Sequence, residues 1–349
     1  MRPTPHTAER LAHVQRLGHD ERKTGMSREN ADTPGKSVRP RRALLLAGAL
    51  AVVTAATGMT PAGASAPSPS ADGLIGWATE NGGTTGGAGG GTVTVDSAGE
   101  LTDALTESGP LVIQVSGTIN LSGMNDVGSD KTIVGLGGAT ITGGGLDING
   151  QSNVIIQNLT FEDWDDDAIN VQEGSTNIWI DHNTFTTGSD GAVDIKRESD
   201  FITVSWNHLD GSGKSMLLGH SDSHTEDEGH LRVTYHHNWF DGSETRHPRV
   251  RFGDPVHVFN NYYYDNEYGV ASTQGAGVLV EGNYFENCED PALVGYAGSD
   301  PGDIVARDNH LVGSGEIQTA GSVEAIPYDY SLDSATSVKD IVTGGAGAS

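Results

Sequence analysis

The chain has one cysteine, Cys288, in 349 residues. An intramolecular disulfide is therefore excluded, and stability has to come from an extensive core or from bound metal. Cations are scarce: 20 Lys and Arg against 47 Asp and Glu, a formal net charge of −27. That balance leaves no basic patch large enough for nucleic acid. Aromatic residues are few, and no long helical periodicity appears after residue 110. The longest uncharged apolar run, from Ala43 to Ala56, is too short and too Ala-rich for a comfortable membrane span. What the chain has in quantity is glycine, 49 residues of it, and a repeat.

The apolar run follows Arg39, Arg41 and Arg42 and is followed by Ala62-Gly-Ala-Ser-Ala66. A basic segment, a short apolar segment and an Ala-x-Ala exit mark a secretory signal. Met26 offers an alternative start, and Arg41-Arg42 is a weak match to twin-arginine export. The reading divides the chain into an N-terminal extension and signal n-region (1–42), an apolar and cleavage region (43–66) and one catalytic-size domain (67–349). The mature protein is expected outside the cell, free of the membrane and monomeric. Removal of residues 1–66 takes 10 of the 20 basic and 5 of the 47 acidic residues, leaving 10 and 42, a net charge of −32. Seven of the ten remaining cations lie between residues 196 and 251: Lys196, Arg197, Lys214, Arg232, Arg246, Arg249 and Arg251.

Alternating β-branched residues followed by Asn, any residue and a large apolar one recur along the chain. Val154-Ile-Ile-Gln-Asn158-Leu-Thr-Phe161 is followed by Ile178-Trp-Ile-Asp-His-Asn183-Thr-Phe185, and five further copies place Asn at 207, 238, 261, 283 and 309. The steps between these asparagines are 25, 24, 31, 23, 22 and 26 residues. Two-residue alternation makes the units strands, and the step makes each repeat one coil of a solenoid. The fold class expected is all-β, a parallel β-helix; propeller blades need roughly twice this period. Asparagine suits a tight bend, where it tolerates left-handed dihedrals, and stacked amides can bond along an axis. The long step between Asn207 and Asn238 marks an inserted loop containing Lys214. Ser97 to Thr106 fits a short capping helix with Ser97 as N-cap and Glu100 in the capping-box position.

Asp165 and Asp167 are two apart, and Asp190 and Asp194 four apart, so each pair can share a strand face. Counting from Asn158 and Asn183 puts the pairs on successive coils. Converging carboxylates repel unless a cation binds, and hard oxygen donors suit Ca²⁺ better than zinc. A solvated acidic face is the alternative, as ion pairing is for Arg246, Arg249 and Arg251 around Pro248. Asp181 falls outside this register and reads as structural, and His237 reads as a coil-corner residue.

Trp179-Ile-Asp-His-Asn183, Asp190-Gly-Ala-Val-Asp194-Ile-Lys196 and Arg246-His-Pro-Arg-Val-Arg251-Phe-Gly253, in this order, resemble the pectate lyases of polysaccharide lyase family one. The resemblance runs from about Gly73 to Gly347. It implies a right-handed β-helix that cleaves polygalacturonate by Ca²⁺-dependent β-elimination. Asp167, Asp190 and Asp194 match the family's calcium ligands, with Asp165 a looser match. Arg246 matches the catalytic base, and Lys214 and Arg251 match the groups that bind the substrate carboxylate. Arginine is ordinarily protonated in proteins, so such a base implies an alkaline optimum. Three rivals stand beside this reading. Pectin lyase would not need the Asp190/Asp194 pair, a polygalacturonase would leave the arginines without a role, and a non-catalytic polysaccharide-binding β-helix would explain the repeat and the acidity but not the aspartates and arginines together.

Overall fold

The computed structural model describes residues 73–349. The export-signal reading lies outside the described residues. The described residues form one compact unit.

The repeat folds as a parallel β-solenoid of about ten turns. Each full turn contributes three short strands, and every strand pairs in parallel with its counterparts one turn away. The first sheet holds Thr176–Asp181, Asp200–Ser205, Val233–His236 and their equivalents on either side. The second holds short strands such as Thr184–Phe185, His208–Asp210 and Trp239–Asp241. The third holds Ile169–Gln172, Val193–Ile195, Met216–Leu218, Arg249–Arg251, Tyr268–Thr273 and Asp290–Val294. Toward the N-terminal end two long strands, Leu111–Asp126 and Lys131–Asn149, pair with each other along their length. The second of these pairs in turn with strands of all three sheets.

Alternation decides what goes inside. Ile178, Ile180, Val193, Ile195, Val204 and Val250 are buried in one continuous core that runs the length of the coil. Equivalent residues stack on equivalent residues: Phe161 lies on Phe185 at 5.1 Å, and Phe240, Tyr263 and Phe285 follow at 4.9 and 4.3 Å. Burial of these rings together with the more numerous Val, Ile and Leu side chains stabilises a chain that has no disulfide.

The asparagine repeat has a sharper structure than its sequence suggests. From Asn183 to Asn309, six asparagines each offer Oδ1 to the backbone amide one turn back, at 2.9–3.1 Å. Between neighbours, Nδ2 donates to the next Oδ1 at 3.0–3.1 Å. Asn158 is not a member. The ladder position in its turn is Leu159, whose amide donates to Asn183 Oδ1, so the first step is 24 residues rather than 25. Nor do the ladder asparagines carry the bend. Left-handed φ belongs to the residue before each, His182, Trp206, His237, Asn260, Gly282 and Asp308, and to Asn158 before Leu159, at +51° to +64°. Bulky residues rarely adopt this region. Here His182, Trp206 and His237 stack face to face, at 5.5 and 4.3 Å, and so stabilise one another outside the corner. His237 is thus a corner residue.

The capping helix, α1, spans Ala98–Thr106 and buries Leu101, Ala104 and Leu105 over the N-terminal end of the coil. Its start differs from the expected box. Ser97 is the N-cap residue without a side-chain cap bond, and Glu100 Oε2 accepts from the Asp96 amide at 3.3 Å. A second helix, α2, spans Val338–Gly345 and was not expected. It lays Val338 and Val342 against Tyr262, with Trp239 and Tyr284 alongside, on the outside of the second sheet. Eight residues with two buried apolar positions give too little periodicity to read in advance.

Candidate active site

The connections between the second and third sheets bring together the stretches that stood out in the sequence. Asp166 and Asp167 lie in one such connection, Asp190 in the next and Lys214 in the third; Arg246 is in the fourth. Asp194, Arg249 and Arg251 come from the third sheet itself, where Val193, Ile195 and Val250 turn inward and their neighbours outward.

Register corrects one expectation. Trp164 bridges Gly188, and the Asp190 amide donates to the Asp166 carbonyl, so Asp166, not Asp165, stands beside Asp190. Asp194 pairs with Asn170, not with an aspartate. The one-residue slip at Asn158 is the cause, and a one-residue slip moves every side chain of a strand. Counting from Phe161 to Phe185 gives 24 and agrees with this register, but it is the pairing of the strands that shows the phenylalanines, and not Asn158 and Asn183, to be equivalent. Asp165 instead accepts from the Gly123 amide at 3.4 Å. Asp181 is buried on the first sheet, where Ser205, Gln157 and His182 satisfy it, on a different sheet from the site.

Asp166, Asp167 and Asp190 each place an oxygen within 4.8 Å of the other two, a spacing one metal ion can bridge. Asp194 approaches from the neighbouring strand. A Cβ on Gly191 would lie 2.0 Å from Asp194 Oδ1 and 3.2 Å from Asp167 Oδ1, so both carboxylates lean over a bare Cα. The remaining contacts are cationic. Lys196 Nζ lies 3.2 Å from Asp167, Lys214 Nζ 3.1 Å from Asp190, and Arg246 Nη1 3.2 Å from Asp190 and 3.3 Å from Asp194. Burial, and then the charge of Asp194, pushes the Asp167 carboxyl up to about 8. Asp166 is raised as well, chiefly by burial. Burial would lower Arg246, but Asp194 and Asp190 outweigh it and hold the guanidinium above its ordinary value. A cradle of hard oxygens with more charge than its cations relieve, closed by a glycine, fits a divalent cation.

Two of the three expected cationic groups meet: Lys214 and Arg246 reach the same oxygen of Asp190. Arg246 is fixed at φ +67°, with its amide 2.7 Å from the Tyr268 hydroxyl. Arg251 stands apart. It aligns through Gly219 with Lys196, two coil steps away, about 10 Å along the same outward face. Arg249, on the same strand, is pushed down to about 10 by burial and by the charge of Arg251.

Acidic and cationic side chains share one outward strip of a parallel β-solenoid, around a cation cradle, an arrangement suited to an enzyme whose substrate is an anionic polymer, since the cations can meet its charges. The comparisons agree. The pectate lyase family profile matches residues 46–349. The pectate trisaccharide-lyase of Bacillus licheniformis is 38% identical over 298 residues, which cover 78% of this chain and 86% of that one. A probable pectate lyase B of Aspergillus flavus is 40% identical over 270 residues, 73% of this chain and 82% of the relative. Among solved structures, a pectate lyase of Bacillus sp. N165 in complex with trigalacturonate superposes with a TM-score of 0.69 at 32% identity, covering 79% of this chain and 98% of that one. The chain belongs to the pectate lyase family and is a polysaccharide lyase.

Proposed function

We propose that the protein is a secreted, monomeric, Ca²⁺-dependent pectate lyase that cleaves the (1,4)-α-D-galacturonan chain of polygalacturonate by β-elimination. The observation that carries this reading is the meeting of Lys214 and Arg246 on a carboxylate cradle closed over Gly191. A hydrolase needs paired acids and has no use for these cations; pectin lyase, whose substrate carboxyls are esterified, has none for the cradle. The trigalacturonate held by the Bacillus sp. N165 relative supports an unesterified uronate chain as substrate.

Asp167, Asp190 and Asp194 would hold the ion, with Asp166 at the cradle's edge. Calcium, when bound, supplies positive charge that draws electrons from a uronate carboxylate and acidifies the adjacent C5–H. Lys214 and Arg251 bind that carboxylate and stabilise the enolate-like charge that grows on it. Arg246 takes the C5 proton as a neutral guanidine, a form that requires alkaline pH and relief from the Asp194 and Asp190 charges that otherwise hold it protonated. The bonding pair forms the C4–C5 double bond. The C4–O bond breaks, and the leaving oxygen takes its proton from solvent. The product carries a 4,5-unsaturated end.

One assay decides it. Purified protein, polygalacturonate and Ca²⁺ should generate ultraviolet-absorbing ends, and chelator should abolish them. Reducing ends without that absorbance would mean hydrolysis, and activity indifferent to chelator on esterified pectin would mean pectin lyase.

A further inference from the structure

The inserted loop after Met216–Leu218 reaches over the third sheet and ends on Arg251. Asp222 Oδ1 accepts from Arg251 Nε at 2.7 Å, and Asp222 Oδ2 accepts from the Ser299 hydroxyl at 2.7 Å. Ser299 in turn receives Arg249 Nη2 at 3.0 Å. Arg251 Nη1 donates to the Gly219 carbonyl at 3.2 Å, and among the described residues its Nη2 takes no protein partner. Two of the guanidinium's three nitrogens are therefore fixed by the loop, and the third is left for a ligand.

The loop is itself anchored. Asp227 is fully buried, and its two oxygens accept from the Glu198 and His220 amides at 2.8 and 3.0 Å. Gly219, at φ +94°, closes the approach: a Cβ there would lie 2.6 Å from Arg251 Cβ. Asp227 thus ties the loop to the turn before it, and Asp222 ties it to the turn after. A long arginine has many rotamers, and a carboxylate on Nε removes most of them before substrate arrives.

We infer that Asp222, braced by Ser299, is a positioning residue that presets the Arg251 guanidinium for the substrate carboxylate, so that the inserted loop sets substrate affinity without touching the reacting atoms. This rests on the role given to Arg251 in the proposed reaction.

The test is a kinetic cycle on polygalacturonate at saturating Ca²⁺, with thermal melting as the check on folding. Asp222→Ala should lower kcat/KM about 10-fold or more, mainly through KM, while Asp222→Asn, which retains an acceptor for Nε, should stay within about 3-fold of the parent. Ser299→Ala should shift KM in the same direction by less. In an Arg251→Lys background, which has no Nε–H to orient, Asp222→Ala should cost less than about 3-fold. The inference is overturned if Asp222→Ala leaves KM unchanged, or if its cost is as large with Lys at 251 as with Arg. Should Asp222→Ala not fold, Ser299→Ala in both backgrounds decides the matter: a KM unchanged with Arg at 251, or a shift as large with Lys as with Arg, overturns the inference. An unmodified enzyme that forms no unsaturated ends would instead overturn the lyase reading, a result distinct from any of these.

Discussion

At the scale of single residues the site turns on an atom that is missing. Gly191 has an ordinary backbone conformation, and its place is fixed by the carboxylates of Asp194 and Asp167 crowding its Cα. Gly191→Ala should therefore keep the fold and weaken the ion's hold: Ca²⁺ affinity measured by calorimetry is expected to fall about 10–100-fold, the range for displacing groups that orient metal ligands. Parent-like binding would show that the cradle lies elsewhere. Asp190 is the other decisive residue, because Lys214 and Arg246 share its Oδ1. Asp190→Asn should cost about 10²–10⁴ in kcat, an amount appropriate to disturbing both a base and an electrostatic contact. Residue type alone does not separate Asp165 from Asp166, which belong to one acidic run, and counting from Asn158 selects Asp165. Only the neighbouring strand distinguishes them.

At the scale of elements, the ladder of asparagines is the most legible feature and was the one most easily misread. Its period was plain, but its phase was set by a coincidence, an asparagine at 158 that occupies the left-handed corner one position early. Asn238 is buried and takes two donors from Asn207, while its own Nδ2 reaches the Val204 carbonyl and Asn261. Removing it leaves several buried groups unpaired. Asn238→Ala is expected to lower stability by about 2–4 kcal/mol in urea unfolding, and Asn309→Ala, at the half-exposed end of the ladder, by no more than about 1.5 kcal/mol. Equal losses would mean that the ladder is a set of independent caps. The α2 helix was invisible for the opposite reason. Its sequence carries little signal, and its partners, Trp239, Tyr262 and Tyr284, come from three different turns.

At the scale of the molecule, two linkages follow. A cation held by the native cradle and not by the unfolded chain stabilises by mass action, about 2.7 kcal/mol at a hundred times its dissociation constant. Thermal melting should rise with added Ca²⁺ and the rise should shrink in Gly191→Ala. Acid should do the reverse. His236 and His247 are buried, His247 pushed down to about 3 and His236 well below its ordinary value, in both cases by burial first. Imidazoles kept neutral in the fold but free to protonate in the unfolded chain contribute stability above about pH 6.5 that is lost as the pH falls below it. Each should cost about 2 kcal/mol between pH 8 and pH 5. His247→Asn should flatten the pH dependence of urea unfolding over that range by about this amount. An unchanged slope would assign the acid sensitivity to other groups.

The sequence by itself determined the architecture, because a solenoid is a one-dimensional object: a period near 24 with two-residue alternation admits one way of burying its apolar faces. It also determined which residue types could carry the chemistry, since few cations and clustered aspartates stand out against an acidic chain. Tertiary structure alone decided which of them meet. Strand register selected Asp166 beside Asp190, set Asp194 against Asn170 and left Asp165 to the Gly123 amide, and a loop anchored two turns away selected Asp222 for Arg251. Such choices depend on offsets between turns of unequal length, and no stretch of chain records them locally.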